Sequence, residues 1–166
     1  KKICIVGLGY IGLPTAALLA NNGFQVSGVD INEEIVKKVN EGRIHIVETG
    51  LSTFVKSAIK KGKLKAYNKM QLSDIYIICV PTPLRTKKEK FSEPNIDYVI
   101  SATKSLSQLI KPGDLVILES TSPVGTTEKI KKILIQQGAN IENIYLAYCP
   151  ERVVPGKIIK ELVEND

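Results

Sequence analysis

Six residues near the start of the chain, Gly7-Leu8-Gly9-Tyr10-Ile11-Gly12, limit what it can fold into more than any other feature, because of what flanks them. Ile3–Val6 before them is a continuous apolar run, and Leu13–Asn22 after them reads as a helix that Gly23 ends. In such a strand–turn–helix unit, Gly7 permits a tight turn off the strand and Gly9 lets the backbone approach a pyrophosphate. Gly12 lets helix and strand pack closely. The glycine spacing alone is weak evidence, since glycine is common. Asp30, closing the second strand Gln25–Val29, supplies the acidic residue expected about twenty positions on. A carboxylate there accepts hydrogen bonds from ribose hydroxyls and repels a 2′-phosphate, and Ile31-Asn32-Glu33-Glu34 adds two acids and no arginine. The expected cofactor is NAD and not NADP; the bland alternative is a glycine turn in a domain that holds no nucleotide.

The rest of the chain keeps alternating. Asn32 is a helix cap, with Ile35, Val36 and Val39 on one face and Gly42 as the stop, and Leu51–Lys61 is a short helix beyond an aperiodic stretch. Lys65–Tyr67 is a short strand and Ile75–Val80 a buried one ending at Pro81-Thr82-Pro83. Leu84–Pro94 is polar and lysine-rich, a surface loop. The spacing from Asn95 to Ile110 predicts a helix, stopped by Pro112-Gly113. Strand Leu115–Leu118, helix Thr126–Gln137 and strand Ile144–Tyr148 complete the pattern. With no turn dipeptide joining strands, this predicts an α/β fold: a doubly wound, mainly parallel six-stranded Rossmann sheet, ordered 3-2-1-4-5-6, with helices on both faces.

The 166 residues suffice for one core and not comfortably for two, so residues 1–166 are expected to form one domain. No apolar stretch approaches the roughly 20 residues that span a bilayer, and no signal-like segment follows Lys1-Lys2. The expected compartment is the cytoplasm, with no membrane partner. The net charge of +6 comes from lysines spread along helix faces without interleaved aromatics, a solvated surface and not a nucleic-acid site. Cys4, Cys79 and Cys149 form no C-x-x-C pair, no metal is expected, and each is read as a small packed hydrophobe.

In doubly wound sheets ligands lie beyond the carboxyl ends of the strands. Three such ends are distinctive: Val80-Pro81-Thr82-Pro83, Glu119-Ser120-Thr121-Ser122-Pro123-Val124-Gly125, and Tyr148-Cys149-Pro150-Glu151-Arg152-Val153-Val154-Pro155-Gly156. With Gly7–Pro14 they resemble the nucleotide-sugar 6-dehydrogenases over the whole chain. Ile44-His45-Ile46-Val47-Glu48, Leu118–Gly125 and Ala147–Val153 look most like the branch acting on UDP-N-acetylmannosamine; UDP-glucose enzymes typically carry Asn-Pro-Glu-Phe in place of Cys149-Pro150-Glu151-Arg152.

The resemblance implies oxidation of a UDP-sugar C6 alcohol to a carboxylate by two hydride transfers to NAD, through a thioester on a cysteine. That cysteine and a lysine acid/base would lie beyond Asp166, in a longer, homo-oligomeric protein of which this is the cofactor-binding part. It places Gly7, Gly9, Tyr10, Ile11, Gly12, Asp30, Val80, Pro81, Thr82, Ser120 and Thr121 at the cofactor. Arg152 and Val153 would stand at the sugar nucleotide, and Thr121 and Glu151 would position the hydrolytic water. Ile35 departs from the arginine that UDP-glucose enzymes usually place near the adenosine.

Each role has a plainer competitor. Thr82 and Thr121 could simply satisfy strand-end backbone groups, Glu151 could be a solvated acid, and Arg152 could pair with a surface carboxylate. His45, the sole histidine, receives no role, and Cys149 is read as strand-end packing and not as the nucleophile. A hydroxy-acid dehydrogenase and a non-enzymatic NAD-sensing domain remain as alternatives; neither has a use for Pro150-Glu151-Arg152.

Overall fold

Alternation along β1 (Lys2–Val6) dictates a sheet covered on both sides. Ile3 and Ile5 are buried on one face and Cys4 and Val6 on the other. The strand β4 (Ile75–Ile78) divides the same way, Ile77 with the first pair and Tyr76 and Ile78 with the second. A strand buried on both faces needs helices above and below it. The computed structural model describes residues 1–85, 93–150, 156–159 and 161, and supplies them. On the first face lie α1 (Gly12–Asn21), α2 (Glu33–Asn40) and α3 (Leu51–Lys60), whose Leu13, Val39, Leu51 and Val55 are fully enclosed. On the second lie α4 (Asp97–Leu106) and α5 (Thr126–Gln136), which bring Val99, Leu106, Ile130 and Leu134. Each such side chain contributes about 1.5–3 kcal/mol by leaving water.

With β2 (Gln25–Val29), β3 (Leu64–Tyr67), β7 (Leu115–Leu118) and β8 (Tyr145–Tyr148), the main sheet has six strands, every neighbouring pair parallel, in the order β3-β2-β1-β4-β7-β8. This is the expected 3-2-1-4-5-6 order. The chain builds outward from β1 to β3, then returns to lay β4 on the other side of β1. A crevice therefore opens at the carboxyl ends of β1 and β4.

Two polar ties fix the first half. The Asn40 side chain donates to the Ala66 carbonyl at 3.0 Å and accepts from the Ala66 amide at 2.8 Å, joining α2 to β3. Asn21 in α1 donates to the Phe54 carbonyl at 2.9 Å and accepts from the Ser57 hydroxyl at 2.7 Å, joining α1 to α3.

Three expectations change. The helix expected from Asn95 to Ile110 is shorter: the Asn95 side chain takes the Asp97 amide at 2.9 Å, and the Ser107 hydroxyl turns back to the Lys104 carbonyl at 2.6 Å. Both offer the backbone an alternative to the helix ladder. Inside the expected surface loop, β5 (Leu84–Arg85) pairs antiparallel with β6 (Glu93–Pro94), and Arg85 is held by the Asp97 carboxylate at 2.7 Å. Cys149 is exposed, against its reading as strand-end packing, because β8 is an edge strand with Tyr145, Ala147 and Tyr148 also exposed. Among the described residues no helix is long and apolar enough to cross a membrane.

Candidate functional site

The glycine turn shows what each glycine is for. A Cβ on Gly7, whose φ is +94°, would lie 2.8 Å from the Cys79 carbonyl oxygen, and one on Gly12 would lie 1.8 Å from the Gly7 oxygen. Neither position has room for a side chain. Gly9 differs, since a Cβ there would meet nothing within 4 Å; its bare backbone faces open space in the crevice. The helix that follows has no side-chain cap and no acid in its first turn, whereas Asn32 caps α2 with Glu33 and Glu34 behind it. Among the described residues, no hydrogen bond uses the amides of Gly9, Tyr10 or Ile11. An uncompensated helix N-terminus beneath a bare glycine suits a pyrophosphate.

The crevice encloses about 1170 Å³. At one end stands Asp30, with Ile31, Asn32, Ile35, Asn68 and Met70 lining the same crevice and the Asn68 side chain donating to the Asp30 carbonyl at 3.4 Å. The Asp30 carboxylate accepts from the Leu8 amide at 3.0 Å and the Asn32 amide at 2.9 Å, so it braces the turn as well as facing the space. A carboxylate offers about four acceptor sites, which leaves capacity for ribose hydroxyls. Gly7, Tyr10 and Ile11 line the middle; Val80, Pro81 and Thr82 follow, and Ser120 and Thr121 close the far end. Of the residues expected at the cofactor, Gly12 alone does not line the crevice; it packs beneath the turn.

The strand-end hydroxyls divide. Thr82 donates to the Thr121 carbonyl at 2.6 Å, and Ser120 donates to the Val80 carbonyl at 2.9 Å, so both knit the β4 and β7 ends together. The Thr121 hydroxyl is exposed and bonds to none of the described residues, which leaves it available to a ligand. Glu151, Arg152 and Val153 lie outside the described residues.

Two features escaped the sequence reading. The buried Cys79 thiol donates to the Glu119 carboxylate at 3.3 Å on the crevice wall, and burial, then the Glu119 charge, holds the thiol well above its ordinary range. Cys149 is pushed up by the same two causes, which argues against either as a ready nucleophile. His45 is half-buried beside Asp30 and the Leu8 backbone; desolvation lowers its pKa, with the Asp30 charge pulling the other way. Nearness to Glu119 and Asp30 depends on the tertiary fold, and no local pattern announces it. The α4 wall of Tyr98, Ser101, Ala102 and Ser105 was legible as a helix but not as a crevice wall.

A doubly wound sheet with a glycine cradle, an acid at the end of β2 and an open crevice at the strand reversal defines a dinucleotide-binding domain. The chain belongs to the UDP-glucose/GDP-mannose dehydrogenase family, whose NAD-binding domain matches residues 1–166, and its cofactor is NAD. It is 48% identical to the UDP-N-acetyl-D-mannosamine dehydrogenase of Campylobacter jejuni, covering 100% of this chain and 42% of that protein. It is 44% identical to the NDP-N-acetyl-D-galactosaminuronic acid dehydrogenase of Ralstonia nicotianae, covering 100% of this chain and 40% of that one. The native structure of the UDP-N-acetyl-mannosamine dehydrogenase from Staphylococcus aureus superimposes with a TM-score of 0.92 at 41% identity, over 100% of this chain and 40% of that one. The chain thus spans about two fifths of the length of these relatives.

Proposed function

We propose that the full-length protein oxidises the C6 alcohol of UDP-N-acetylmannosamine to the uronate in the cytoplasm, and that this chain is its NAD-holding part. The observation that carries this is the crevice itself, a bare Gly9 over an uncapped helix with Asp30 at one end and an exposed Thr121 at the other. The sugar assignment rests on likeness to relatives named for UDP-N-acetyl-D-mannosamine, from Campylobacter jejuni and Methanococcus maripaludis among others.

NAD supplies the hydride acceptor when bound. Loss of a hydride from C6 and a proton from its hydroxyl gives an aldehyde, and a cysteine thiol from the rest of the protein adds to it. A second hydride loss leaves a thioester, which water cleaves to carboxylate and free thiol. Within this chain, Asp30 orients the adenosine ribose, the turn amides hold the pyrophosphate, and Thr121 with Glu151 aligns the water. Arg152 and Val153 contact the sugar nucleotide.

The test uses the full-length protein with saturating NAD. The wild type should form two reduced nicotinamides per uronate. Glu151→Gln, which keeps the shape and removes the charge, should accumulate the sugar thioester, seen by rapid quench and intact mass. Wild-type turnover by Glu151→Gln would remove Glu151 from hydrolysis, and a single reduced nicotinamide per product would refute the two-step oxidation.

A further inference from the structure

The segment Ile44-His45-Ile46-Val47-Glu48 takes no part in the proposed chemistry, yet it holds a buried carboxylate. Glu48 is 6% exposed, in the connection between α2 and α3. Its two oxygens accept from backbone amides more than one hundred residues away: Gly156 at 2.6 Å and Ile158 at 2.8 Å. Ile158 is itself 1% exposed, and Ile159 packs on the core of the first half of the sheet. The chain leaves β8 at the opposite edge, where the Cys149 amide bonds the Leu118 carbonyl at 3.0 Å. Between those two anchors, in sequence, stand Glu151, Arg152 and Val153.

We infer that Glu48 is a positioning residue: by clamping the Gly156 and Ile158 amides it fixes where the chain rejoins the domain after the segment that carries Glu151, Arg152 and Val153, and so constrains that segment from its far end. This rests on the function proposed above. A carboxylate is the side chain suited to the task. Two amides in one turn point the same way, and only an ionised carboxyl presents two acceptors without a donor; the two charge-assisted bonds offset its burial. Glutamine would keep one bond and turn an NH₂ group against the other amide. Asp would retreat from both. The two bonds of the clamp involve neither Asp30 nor the glycine turn, so its loss should separate the two ligands. Sugar-dependent steps suffer while NAD binding is spared.

The experiment uses the full-length protein, with Glu48→Gln and Glu48→Asp, and reads NAD affinity, the KM and kcat for UDP-N-acetylmannosamine, and hydrogen exchange of the peptide bearing Gly156 and Ile158. The expected result for Glu48→Gln is a loss of about tenfold to a hundredfold in sugar kcat/KM, the scale of a displaced active-site segment. NAD affinity should stay within about twofold. In the wild type the two amides should be protected, and in Glu48→Gln they should exchange faster while amides of β1 do not. Equal losses for NAD and sugar would reduce Glu48 to a general structural role, and unchanged sugar kinetics would overturn the proposal. Should the variants fail to fold, wild-type protection still decides: exchange of these amides at free-peptide rates refutes the clamp. A wild type inactive on UDP-N-acetylmannosamine would sink the substrate reading instead, which the exchange data do not touch.

Discussion

Asp30 holds the glycine turn through the Leu8 amide and starts α2 through the Asn32 amide, so its expected bond to the ribose is one of three duties. Replacing it by alanine should therefore cost twice. NAD binding should weaken by on the order of 1.5–3 kcal/mol, the size of a charge-assisted hydrogen bond, and discrimination against NADP should fall with it. The melting temperature should also drop, because two backbone amides lose their acceptor. Titration calorimetry with both cofactors reads the first effect, and an unchanged NAD affinity would contradict the assignment. Cys149 makes a different prediction. It is exposed while Cys4 and Cys79 are buried, so it should be the thiol of this chain that iodoacetamide modifies. Its pKa is raised from 9.0, by desolvation and then Glu119, so the thiolate forms at higher pH than in a free cysteine. The labelling rate should still be climbing above pH 9, and a plateau below about pH 8 would show a lowered pKa and reopen its claim as a nucleophile. At this scale the sequence was readable where a role is local. Gly7, Gly9 and Asp30 declare themselves by spacing, whereas the partners of Glu48 and Glu119 are set by the fold.

Elements were legible wherever the apolar period and a stop residue agreed, as for α1 before Gly23 or α2 between Asn32 and Gly42. They were misread where side chains compete with the backbone. Asn95 and Ser107 trim α4 at both ends, and no apolar period marks the two-residue ladder of β5 with β6. The packing of Cys149 was misjudged because the end of an apolar strand at a sheet edge looks, in sequence, like one at the centre. Contacts between elements were not legible at all. The Asn40 tie across α2 and β3 illustrates this, and it carries a prediction. Asn40→Ala leaves both backbone groups of Ala66 without their partner, so it should destabilise the domain by about 1–3 kcal/mol in urea unfolding. A loss below about 0.5 kcal/mol would mean that water replaces the side chain and that the tie contributes little.

At the scale of the whole molecule, the sheet order follows from the alternation of strands and helices and from the handedness of their crossovers. The crevice follows from the sheet order, since the reversal beside β1 is what opens it. What does not follow is the sugar. The relatives of similar likeness include enzymes named for N-acetylmannosamine and for N-acetylgalactosaminuronic acid, and the chain spans about two fifths of their length. The most direct measurement is therefore made on the purified full-length protein, by following reduced-nicotinamide absorbance with UDP-N-acetylmannosamine, UDP-N-acetylglucosamine and UDP-glucose, each with NAD or NADP. If the substrate assignment holds, kcat/KM is highest for UDP-N-acetylmannosamine with NAD, by at least about tenfold over every other pairing. Preference for UDP-glucose, or equal rates with NADP, would contradict it.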